Sequence, residues 1–213
     1  VVGLLLKNRA ELCLGAADEA AGKALLDEIR EYSPASAALP CDLRSEESLR
    51  AFCRAVNARW PLVHVLVNNP YVANVPALED SGDEEDDALL QVYQRTLVVT
   101  ARAFWQAMLR AGGCAVVNIS CGPPDGDEPG NLLRAMAGGT VGGFTRIMAL
   151  EGGACRTRAN ELLAPRGARG AADGRNADAQ CVADAALFLA SDMAAYTTGT
   201  TLTVGAVPGG VPA

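Results

Sequence analysis

Two short stretches constrain this chain more than anything else in it. Residues 64–70 read HVLVNNP, and residues 114–121 read CAVVNISC. Each is an apolar run that ends in polar residues. A strand with one wet face alternates apolar and polar residues, whereas a strand covered on both faces does not. Both stretches therefore predict buried parallel strands, with Asn68, Asn69, Asn118 and Ser120 gathered where the strands end. Parallel neighbours need a long crossover, and residues 82–111 between them read as a helix.

The rest of the chain repeats this alternation. A strand is expected at 10–15, and a helix at 17–31 with Ala21, Leu25, Leu26 and Ile29 at helical spacing and Asp18 as its N-cap. Another strand is expected at 36–41. Ser45 reads as the N-cap of a helix running to about Trp60, with Glu46 and Glu47 in its first turn, where the helix dipole favours negative charge. Strands near 115–120, 158–163 and 200–205 and helices at 133–151 and 178–190 follow, and residues 1–9 read as the tail of a helix. Strands alternating with helices predict an α/β fold: one doubly wound parallel sheet in a single domain over residues 1–213. The loop at 164–177 is too short to separate domains.

Charge and cysteine usage exclude some functions. A net charge of −7 argues against a nucleic-acid or anionic-membrane surface. No apolar run reaches the ~18 residues of a membrane-spanning helix. The seven cysteines are odd in number and form no Cys-x-x-Cys pair, so a disulfide framework or a metal site is not expected and a reducing compartment is. Residues 79–87 (EDSGDEEDD) read as a solvated helix start capped by Ser81, with a docking patch for a basic partner as the alternative. His64 is the lone histidine and reads as structural. It lies at the opposite end of its strand from Asn69, roughly 16 Å away at ~3.3 Å per residue, too far to serve Cys121.

Five phrases together resemble the short-chain dehydrogenase/reductase family: CDLRSEES at 41–48, HVLVNNP at 64–70, VVNISC at 116–121, GGFTRIMALE at 142–151 and LFLASDMAAYTTGTTLTV at 187–204. They fall in the family's order and span nearly the whole chain. The resemblance implies a Rossmann-like fold and an NAD(P) cofactor. It places Asp42 and Leu43 beside the adenine, and Asn68, Asn69 and Ser120 along the cofactor. On the residues alone, Asp42 reads equally as a turn cap, and Asn68 and Asn69 as braces of the strand ends. Ala16 stands where an acid or an arginine would select NAD or NADP, and selects neither.

The same resemblance exposes departures. The family uses a Ser, and then a Tyr-x-x-x-Lys on the following helix, for proton transfer to the carbonyl oxygen. Those positions hold Cys121, Arg134 and Gly138. No register rescues them. The tyrosines are Tyr32, Tyr71, Tyr93 and Tyr196, and the only lysines are Lys7 and Lys23. The family's helper Asn falls near Val92 or Tyr93, and the loop after Ala164 offers little apolar area for a substrate lid. The first strand and its Gly-rich phosphate turn are missing, because Val1 already reads as part of the next helix. A further segment is expected between the strands at 10–15 and 64–70.

These departures lead to the expectation of a non-catalytic family member, serving as a structural or interaction subunit of a larger assembly in the mitochondrion or cytoplasm. The alternative is an NAD(P)H-dependent oxidoreductase with altered catalytic residues or a longer N-terminus. Gly138, Gly139, Gly142 and Gly143 weaken the 133–151 helix, each by about 1 kcal/mol relative to Ala. Ala135, Gly139, Gly142 and Gly143 are expected to share one flat face against a closely apposed helix. That points to an interface, with a second copy or another subunit, through helices 82–111 and 133–151.

Overall fold

A computed structural model of the chain describes residues 10–17, 19–30, 33–70, 77–121, 132–164 and 177–204, with Leu5, Val72 and Val75. The elements are β1 (Cys13–Ala16), α1 (Glu19–Arg30), β2 (Ala37–Pro40), α2 (Glu46–Arg59) and β3 (Val65–Asn68). Then come α3 (Asp83–Leu90), a π-helical stretch Gln91–Arg95, α4 (Thr96–Arg110), β4 (Ala115–Cys121), α5 (Leu132–Gly153), β5 (Arg158–Ala164), α6 (Ala177–Ala190) and β6 (Thr201–Thr203). Leu5 is helical; the rest of 1–9, Asp18 and most of the 164–177 loop lie outside the described residues.

All described strand pairs are parallel, in two groups: β1 beside β2, and β3-β4-β5-β6 in that order. Asn68 lies opposite Asn118, and Asn118 opposite Glu161. Helices cover both faces of the larger group. Val117 and Ile119 point one way, into a cluster with Leu162, Ala186 and Leu189 of β5 and α6. Val116 points the other way, into a cluster with Phe104 and Met108 of α4 and Met148 of α5. This second cluster also takes in Cys41, Leu49, Cys53 and Val56, so α2 and α4 join the two strand groups on one side. Double winding is thus carried by strict period-2 alternation inside an almost wholly apolar strand.

Local chemistry explains most boundaries. Ser45 caps α2, its side chain accepting from Ser48 N at 3.2 Å. Gly113, between α4 and β4, has φ +132 and could not carry a Cβ, which would lie 2.5 Å from the Arg156 carbonyl oxygen. Ser81 does not cap α3. Its hydroxyl donates back to Leu78 O at 3.1 Å, and the N-cap is Gly82, whose N–H donates to Glu85 Oε2 at 3.1 Å. The expected 82–111 helix is two α-helices joined by the π-helical turn that buries Val92 and Tyr93.

The flat glycine face of α5 needs correction. Gly142 is buried against β5, not against a helix: a Cβ there would lie 2.8 Å from Glu161 Oε2. Cβ atoms at Gly139 and Gly143 would meet nothing within 4 Å. Along this one face of α5 the glycines therefore differ in surroundings: Gly142 meets β5, whereas Gly139 and Gly143 meet open space.

Candidate functional site

Asn68 at the end of β3 and Asn118 in the middle of β4 belong to one buried network on the α4–α5 face of the sheet. Thr100 Oγ1 of α4 lies 3.1 Å from Asn68 Oδ1. Asn68 Nδ2 donates to Asn118 Oδ1 at 2.8 Å, and Asn118 Nδ2 donates to Thr145 Oγ1 of α5 at 2.9 Å. Thr145 passes the chain on to the Val141 carbonyl at 2.7 Å. Asn118 is thus oriented by a donor on one side and an acceptor on the other. Thr100 divides its one proton between Asn68 Oδ1 and the Thr96 carbonyl at 2.8 Å, and the end of β3 and the middle of β4 are locked to both helices.

Beside it sits a second cluster. Glu161 is a buried carboxyl in β5, a seven-residue strand that also holds Arg158 and Asn160. Ser120 Oγ donates to its Oε1 at 2.6 Å, and Thr201 Oγ1 donates to its Oε2 at 2.6 Å. Gly142 provides the room this carboxylate needs. The ion pairs among the described residues do not include Glu161, so hydroxyl donors satisfy it. A buried carboxylate is tolerable only when its oxygens are so engaged.

The predicted site residues divide accordingly. Asn68 and Ser120 are buried and engaged inside the protein, which is the bracing role. Asn69, the next residue after β3, is exposed. Asp42 is exposed and caps its own turn, Oδ1 accepting from Arg44 N at 2.9 Å while its N–H donates to Ser48 Oγ at 3.0 Å. Leu43 is half-buried against the Leu89–Tyr93 cluster. Cys121 closes β4, and Arg134 and Gly138 lie in the first turns of α5; the side chains of Cys121 and Arg134 lie outside the described residues. α5 contains neither Tyr nor Lys. His64 is exposed just before β3, on the far end from Asn68, and its carbonyl accepts from Ala115 N at 2.9 Å.

Other chemistry is weak here. Burial pushes the Cys41 and Cys114 thiols up to about 12 and those of Cys13 and Cys53 up to about 11, so at neutral pH they are not thiolates. The described residues hold no metal-binding cluster. No described helix is long and apolar enough to cross a membrane. Thr100, Thr145, Glu161 and Thr201 were not foreseen from sequence. The carboxyl of Glu161 just before the apolar Leu162 and Leu163 was the one available signal, since a charge in a buried strand needs partners. The threonines sit on helices or short strands with no such mark.

Helices on both faces of a parallel sheet define a doubly wound, Rossmann-like α/β domain. A family model described as enoyl-(acyl carrier protein) reductase matches residues 1–166. The chain is 26% identical to a cyclopentanol dehydrogenase of Comamonas testosteroni, covering 94% of this chain and 88% of the relative. It is 28% identical to a D-threitol dehydrogenase of Mycolicibacterium smegmatis over 77% of this chain and 70% of that one. A solved short chain dehydrogenase from Mycobacterium smegmatis superposes with a TM-score of 0.81 at 25% identity, covering 97% of this chain and 87% of the other. The chain belongs to the short-chain dehydrogenase/reductase family, whose named relatives here are oxidoreductases.

Proposed function

We propose that this chain is an NAD(P)(H)-linked oxidoreductase acting on a small alcohol or its carbonyl, with the family's proton-transfer set replaced. The observation that carries the reading is the Thr100–Asn68–Asn118–Thr145 brace. It holds rigid the carboxyl end of β3 and the middle of β4, three residues below the carboxyl end of β4, on the side where doubly wound folds bind their ligands. Relatives named for the oxidation of cyclopentanol and D-threitol support the substrate class. Exposed Asp42 and Asn69 beside the strand ends fit the adenine half of a dinucleotide. For the nicotinamide half, the described residues supply no phenol or ammonium, and no proton-transfer step is assigned to them. The test is calorimetric titration of NADH and NADPH, followed by turnover with cyclopentanol and D-threitol. Binding of either cofactor without turnover on a broad alcohol and ketone panel would overturn the oxidoreductase reading.

A second reading is a non-catalytic family member working through protein contacts. The specific observation in its favour is α5 itself, with Arg134 and Gly138 in place of Tyr and Lys. Its exposed face carries Ile147, 56% exposed, and Leu150, 76% exposed. Beside Ile147, a cleft of about 460 Å³ between α4 and α5 is lined by Trp105, Phe144 and Met148. An open apolar cleft rimmed by such residues suits a protein interface. A second copy of this chain is the proposed occupant. Light scattering at a monomer mass, unchanged by Ile147→Glu, would count against it.

A further inference from the structure

We draw no further inference here: the strongest candidate, the buried cluster of Ser120, Glu161 and Thr201 beneath Gly142 of α5, is satisfied by its own hydroxyl donors and belongs to the site already described.

Discussion

The two strand groups are made of similar short parallel strands, yet only one has the burial of a core. β4 lies between β3 and β5 with helices on both faces, and Val116 to Ser120 are all buried. Among the described strands β1 pairs only with β2, and its Cys13, Leu14 and Ala16 are half-buried with Gly15 exposed. The apolar runs themselves differ little. What differs is the number of covered edges and faces, and a parallel strand has a stable place only when both are supplied. β3 shows the intermediate case. It pairs with β4 alone among the described strands, and Val65 at its start is exposed while Asn68 at its end is buried.

The largest test of this contrast is truncation within each group. Leu162 of β5 has no exposed surface and sits at the centre of the α6-side cluster. Leu162→Ala should cost about 3 kcal/mol through lost transfer energy and a cavity. Leu14→Ala in β1 should cost less than about 1 kcal/mol, because the side chain is already part wet. Urea denaturation of both variants decides it, and equal losses would mean that β1 is as much core as β5.

Next in size is the polar brace. Asn118→Ala leaves the Asn68 amide and the Thr145 hydroxyl without their partner in a dry layer, at about 2 kcal/mol. If the brace also holds the cofactor end of the sheet, the variant should weaken NADH or NADPH binding more than Leu162→Ala does at matched stability. Equal weakening would make the network a matter of stability alone.

A smaller effect separates the groups by pH and by labelling. Burial raises Cys41, after β2, and Cys114, before β4, from 9.0 to about 12. The native thiols keep protons that an unfolded chain gives up above pH 9. The unfolded state then binds fewer protons, so stability should be flat below about pH 9 and fall as pH climbs toward 12. Both thiols are equally hidden in the native fold. At sub-denaturing urea a thiol reagent should nevertheless reach Cys41 before Cys114, because the β1–β2 group opens first. Simultaneous labelling would show one cooperative unit.

Legibility in the sequence follows the same division. The β4 run, the Ser45 cap and the double winding could be read directly, because burial on two faces leaves an unmistakable apolar strand and a cap needs only local chemistry. The residues at the carboxyl strand ends could be named, but their partners could not. Thr100 and Thr145 reach Asn68 and Asn118 from helices that are distant in sequence, and nothing local marks which helix face will meet which strand. The surroundings of the α5 glycines could not be read for a related reason. Their spacing says that they lie near each other, but not that Gly142 accommodates a carboxylate from β5 while Gly139 faces open space.

That last distinction sets the smallest expected effect. Gly139 and Gly143 lie in the interior of a 22-residue helix, and a Cβ at either would touch nothing within 4 Å. With no clash to offset it, the helix-forming advantage of alanine should appear directly. Gly139→Ala is expected to stabilise an isolated chain by roughly 0.5–1 kcal/mol. Gly142→Ala should act in the opposite direction, because its Cβ would collide with Glu161 Oε2 unless that carboxylate moves. If a second copy packs on α5, Gly139→Ala gains stability in the monomer but loses it in the assembly, since even one methyl group holds two helix backbones apart. Thermal unfolding followed across a range of protein concentrations separates these effects. A gain that is the same at every concentration would mean that Gly139 faces water, and that any partner of this helix sits elsewhere on it.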